Sequence, residues 1–196
     1  MAQNLNHQRL DQALGLLSER LSLAQAPIYE LIVCGGSSLI ARGFVARVTR
    51  DVDVVARREP GGLVSSRPLP AALLAAAERV EADLGLMPNW LNSGPADLFE
   101  MGLPEGCIER LEPRSYGSHL VVWFVGRLDQ IHFKLYAAAD QGPGRHVDDL
   151  IALHPTPDEL LAAAHWAFSH DVSGGFRAIV RDMLTKLGHA NVAAQL

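Results

Sequence analysis

The stretch Leu31–Val55, LIVCGGSSLIARGFVARVTRDVDVV, constrains the fold more than any other part of the chain. Leu31 to Cys34 is a short apolar run of the kind a buried strand needs. Gly35-Gly36-Ser37-Ser38 then interrupts it with residues suited to a tight turn that opens a short helix. From Arg47 to Val55 two acids alternate with valines, the signature of a second strand. Side chains at i and i+2 of a strand share a face. Asp51 and Asp53 are therefore expected to point one way while Val52 and Val54 pack inward.

Each half of this stretch has a chemical and a plain reading. A glycine turn at a helix start offers bare backbone N–H groups and lets a ligand approach closely, which suits phosphate oxygens. The plain reading is an ordinary strand-to-helix turn. Two carboxylates side by side repel, and a bound cation offsets that repulsion; hard oxygen ligands at this spacing suit Mg²⁺ carrying substrate phosphates. The plain reading there is an edge strand with solvated acids.

Taken together, the glycine turn and the Asp-x-Asp strand resemble the signature of the nucleotidyltransferase (polymerase beta-like) superfamily. They are similar above all to the abortive-infection type of toxin nucleotidyltransferase, whose GG-x-x-L and R-x-T-x-D-x-D positions correspond to Gly35, Gly36, Leu39, Arg47, Thr49, Asp51 and Asp53. The resemblance implies an α/β (α+β) fold with a small mixed sheet and a helical C-terminal half. It implies Mg²⁺ held by Asp51 and Asp53, and an NTP bound through Gly35, Gly36, Ser37, Arg47 and Thr49. It also implies transfer of an NMP group to a hydroxyl of RNA, tRNA among the candidates, or of a protein, and a cognate toxin or antitoxin partner.

With 196 residues the chain is of single-domain size, and 48% hydrophobic residues make it globular. No run of 18 apolar residues appears and the first residues lack the apolar core of a signal peptide, so no membrane association is expected and the cytoplasm is the default compartment. A net charge of −5 argues against a protein that coats nucleic acid by electrostatics alone. It leaves room for a local basic site, for which Arg42, Arg47, Arg50, Arg57 and Arg58 are the candidates; surface ion pairs are the alternative. Cys34 and Cys107 lack CxxC spacing; Cys34, in the apolar run, reads as a small buried residue, and no disulfide is expected.

Elsewhere the patterns are structural. Leucines 10, 14, 17 and 21 predict an amphipathic helix within Asn6–Gln25. Arg57–Pro70 reads as a mobile loop bordering the site, and Leu69–Leu86 as a helix stopped by Gly85. Cys107–Leu111 and His119–Val125 read as strands, the second central in the sheet, with a turn at Tyr116-Gly117-Ser118. Trp90, Trp123 and Trp166 read as core filling rather than as a base-stacking platform. Thr156-Pro157-Asp158-Glu159 is a helix start, and a last helix is expected over Ser173–Gly188. The expected division is a core of residues 1–153 with a helical extension, 154–196, packed on it.

A third carboxylate, usual in the superfamily on a later strand, has no clear counterpart. Asn92 stands in that place by chain order, with Asp97 beyond it and Asp129 further on. An amide cannot act as a general base at neutral pH. Arg127–Leu153 reads as helix, glycine loop, helix; Lys134-Leu135-Tyr136-Ala137 and Asp149-Leu150 match the ends of a second family motif, while His146 stands where its first Asp would be. On that resemblance Lys134 joins Asp51 and Asp53 as a catalytic candidate, holding the phosphates as a point charge. A non-catalytic nucleotide- or partner-binding module on the same fold is the alternative.

Overall fold

The computed structural model describes residues 3–196 and is mixed α/β, with helices and a six-stranded mixed sheet. The chain divides into two units, Met1–Gly126 and Arg127–Leu196. The expected boundary at 153 thus moves to 126, because the helix that begins at Arg127 is tied by ion pairs to later helices and not left with the sheet.

The first unit is built around its sheet. Helix α1 (His7–Leu23) leads into β1 (Tyr29–Cys34), α2 (Gly35–Ala41) and β2 (Val52–Glu59). There follow β3 (Gly62–Ser65), α3 (Ala71–Leu84), β4 (Leu91–Asn92), α4 (Ala96–Met101), β5 (Glu112–Ser115) and β6 (Leu120–Phe124). The strand order is β3-β2-β1-β6-β5, and β4 pairs in parallel with the start of β2, on the edge that β3 leaves open. The valine alternation has the consequence expected of it. Val52 and Val54, with Leu31, Val33, Leu120, Val122 and Phe124, enter one core with Leu10, Leu14, Leu17 and Leu21 of α1 and with Leu73 and Val80 of α3. Asp53, between the two valines, therefore faces away from that core.

Polar ties hold α1 to the β5–β6 hairpin. The Tyr116 hydroxyl donates to Asp11 Oδ1 at 2.8 Å and Arg114 reaches the same oxygen at 3.2 Å. Burial, reinforced by the Asp11 carboxylate, pushes the Tyr116 phenol well above its ordinary range, so it stays a neutral donor. Gly85, left-handed at φ 61°, ends α3 as expected.

Three local expectations fail. Arg57–Pro70 is not a mobile loop: β2 runs on to Glu59 and turns back into β3, pairing Arg58 with Leu63 and Ala56 with Ser65. Cys107–Leu111 is no strand but a single 3-10 turn, Ile108–Arg110, and the strand lies later, at Glu112–Ser115. The strand expected over Arg47–Val55 begins only at Val52, so Arg47–Asp51 precedes it, while β6 lies inside the sheet between β1 and β5 as expected.

The second unit is helical: α5 (Arg127–Asp140), α6 (Arg145–Ala152), α7 (Pro157–His170), α8 (Gly174–Lys186) and the short α9 (Ala190–Ala193). Thr156 and Glu159 form a reciprocal capping box at the start of α7, and Ser173 caps α8. Trp166 packs among His132, Phe133 and Tyr136, with ring centroids 5.7, 5.6 and 6.0 Å away. Trp90 is buried core, its indole N–H donating to the Ala77 carbonyl at 3.0 Å, whereas Trp166 and Trp123, also expected as core filling, are only half-buried. No helix among the described residues is long and apolar enough to cross a membrane.

Candidate functional site

Strand β1 delivers the chain to Gly35, which is at φ +69° and is itself the first residue of α2, so no separate turn intervenes. A side chain would be strained there and would collide besides: an ideal Cβ would lie 2.5 Å from Asp53 Oδ2. On Gly36 a Cβ would stand 2.8 Å from Thr49 Oγ1 and 3.1 Å from an Arg47 guanidinium nitrogen. The glycines thus admit the side chains of the Arg47–Asp53 segment against the backbone. Five residues singled out in the sequence, Gly35, Gly36, Arg47, Thr49 and Asp53, meet at one place.

Thr49 is fixed from both sides. Its backbone pairs with Leu5, N to O at 2.9 Å and O from N at 2.7 Å, and its hydroxyl donates to Asp51 Oδ1 at 3.1 Å. The bridge to Leu5 has no signal in the sequence, since a single paired residue shows no periodicity. Asp51 lies immediately before β2 and is half-buried, as is Asp53. Both keep some access to solvent.

Asn92 is the residue that the register brings to Asp53. Strand β4 sets Asn92 directly opposite Asp53, and the Asn92 amide nitrogen donates to Asp53 Oδ1 at 3.2 Å. The amide oxygen meanwhile accepts from the Gly94 backbone N–H at 2.8 Å. A flipped amide would set oxygen against carboxylate and nitrogen against N–H, so both partners select the same orientation.

Other candidates are placed elsewhere or engaged otherwise. Ser37 is fully buried and its hydroxyl donates to the Cys34 carbonyl at 3.3 Å, which removes that side chain from the expected phosphate contacts. Asp97 is an exposed residue of α4, 2.7 Å from Arg67 in a surface ion pair. Asp129, expected as a tentative third acid, is fully buried in α5 and has no exposed oxygen to offer. Lys134 is buried in the same helix with its Nζ 2.8 Å from Asp149 Oδ2, the two side chains 7% and 2% exposed, so its charge is answered inside the second unit. Of the remaining arginines, Arg42 pairs with Glu112 at 2.6 Å, Arg57 with Glu59 at 2.7 Å, and Arg58 lies over the Trp123 ring at 4.5 Å. Arg47 is the arginine that stands at the glycines.

Among the described residues, no group of three or more His, Cys, Asp or Glu side chains is arranged to hold a metal ion. That does not exclude Mg²⁺ from the acid pair, because Mg²⁺ is commonly held by one or two carboxylates together with water and substrate phosphates. The donors of Asp51 and Asp53 are hard oxygens and fit such an ion. Asn92 turns its amide nitrogen, a donor, toward Asp53 and its oxygen toward Gly94. Comparisons with protein-family models, curated proteins and solved structures return no match.

Proposed function

We propose that the first unit carries the site of a Mg²⁺-dependent nucleotidyltransferase, which moves an NMP group from an NTP to a hydroxyl of RNA or of a protein. The observation that carries this reading is the meeting of Gly35 and Gly36 with Asp53, Thr49 and Arg47. Two half-buried carboxylates two residues apart, with the Arg47 guanidinium beside them, suit a cation that carries phosphates. In the proposed reaction Asp51 and Asp53 hold the cation, and Arg47 supplies positive charge for the phosphates. Thr49 orients Asp51 by its hydroxyl bond, and Asn92 orients Asp53 by its amide. Mg²⁺, when bound, would neutralise phosphate charge and align the triphosphate for in-line attack.

A nucleotide-binding module without transfer is the second reading, and one observation favours it: the strand position opposite Asp53 carries an amide where an acid would be needed for a base. The candidate acceptors are tRNA, another RNA and the protein itself or a partner from a toxin–antitoxin pair. Incubation of the purified chain with each α-labelled NTP, Mg²⁺, and total tRNA or protein as acceptor separates the readings. Labelled product that disappears in Asp51→Asn and Asp53→Asn supports transfer. Binding of Mg²⁺–NTP with no labelled acceptor supports the module.

A further inference from the structure

We propose that Asn92 is a positioning residue for Asp53, held in that task by Gly94; this rests on the reading of Asp51 and Asp53 as a cation pair. Three observations converge. The parallel register of β2 and β4 sets Asn92 opposite Asp53. Its amide donates to Asp53 Oδ1, while Asp53 Oδ2 lies against Gly35, so each carboxylate oxygen has a fixed neighbour. The amide oxygen accepts from the Gly94 N–H, which fixes which end of the amide meets Asp53.

Gly94 is the second half of the device. A Cβ there would stand 2.9 Å from Asn92 Oδ1, inside ordinary contact, although the backbone of Gly94 is not left-handed. A side chain at 94 would therefore push the amide without straining its own conformation. Asn92 thereby orders Asp53 before any ion arrives, and preorganised ligands lose less entropy on binding. The same amide leaves the pair one carboxylate short.

The test uses Mn²⁺ as the probe, with free ion followed by electron paramagnetic resonance on the full chain. Asn92→Ala removes the donor and should weaken Mn²⁺ binding at least threefold. Asn92→Asp adds a carboxylate at the position opposite Asp53 and should tighten it at least tenfold. Gly94→Ala, which keeps Asn92, should weaken it in the same direction as Asn92→Ala and serves if that variant fails to fold. Mn²⁺ affinity indifferent to all three changes, or absent from the wild type, overturns the proposal. So does an Asn92→Asp chain that binds no more tightly. Mg²⁺–NTP binding by the wild type is measured in parallel. Mn²⁺ affinity that follows position 92 in a chain blind to NTP would leave Asn92 as proposed and defeat the nucleotidyltransferase reading. NTP binding with Mn²⁺ affinity indifferent to position 92 would do the reverse.

Discussion

Asp51 and Asp53 of the sheet unit and Lys134 of the helical unit were expected to serve one reaction, yet the acid pair and the ion pair that Lys134 forms are built on opposite principles. Asp51 and Asp53 are like charges, half-buried, in a cluster with a hydroxyl, an amide, two glycines and the Arg47 guanidinium. Lys134 and Asp149 are opposite charges, nearly closed off from solvent and 2.8 Å apart. A closed pair of opposite sign leaves a ligand no access, whereas half-buried carboxylates stay reachable from solvent. The difference separates a structural pair from a ligand site without reference to motif.

That comparison breaks most readily at Lys134. Lys134→Met removes the cation 2.8 Å from the buried Asp149 carboxylate, which should cost about 3–5 kcal/mol in chemical denaturation. The double variant Lys134→Met with Asp149→Leu should recover most of it. By contrast, Asp51→Asn and Asp53→Asn should each change stability by less than about 1 kcal/mol, or raise it, since each removes one of two neighbouring like charges. A Lys134→Met chain as stable as the wild type would reopen a ligand-binding role for the lysine.

Two glycines of similar conformation sharpen the sheet side. Gly35 and Gly43 have φ of +69° and +71°, but only at Gly35 would a Cβ meet another group, Asp53 Oδ2. Gly43→Ala should cost on the order of 1 kcal/mol, the price of the backbone alone. Gly35→Ala should cost roughly 2–3 kcal/mol, because the carboxylate must also move. Equal losses in the two variants would mean that Asp53 does not rest on Gly35.

The smallest effect concerns pH in the helical unit. The Arg127 guanidinium, 2.7 Å away, holds the Glu159 carboxyl below its ordinary range, with the Thr156 cap adding to this. A depressed folded pKa means stability that is present above the unfolded value and lost as pH falls through the folded one. Glu159→Gln should therefore melt below the wild type at pH 7. The gap should narrow as pH drops below the usual carboxylate range, and a gap that widens in acid would contradict the pairing.

Legibility in the sequence followed the reach of each signal. The Val52–Val54 alternation, the four leucines of α1 and the Thr156-Pro157 start depend on neighbours within a turn or two, and all stand as read. Strand β5, Glu112-Pro113-Arg114-Ser115, has no apolar alternation and exists through its pairing with β6. The hairpin after β2 was hidden by arginines, glycine and proline that pass for loop composition. At the site, the meeting of the glycines with Arg47, Thr49 and Asp53 was legible because the motif spans a single strand-helix-strand segment. Asn92 was placed by chain order but its hydrogen bonds were not, since they depend on the register of β4. The burial of Ser37, Asp129 and Lys134 was invisible for the same reason: it depends on what packs over each residue, which spacing does not report.

Thermal melting with and without 1 mM of each NTP in Mg²⁺ tests the acid pair most directly. A ligand at 100 times its dissociation constant stabilises the folded state by about 2.7 kcal/mol, a rise on the order of 5–10 °C for a chain of this size. The wild type should show such a rise with at least one NTP. Asp51→Asn and Asp53→Asn, folded to the same degree, should lose it, as should the wild type without Mg²⁺. A wild type that melts unchanged with every NTP, or a rise that survives in both variants, would contradict the assignment of Asp51 and Asp53.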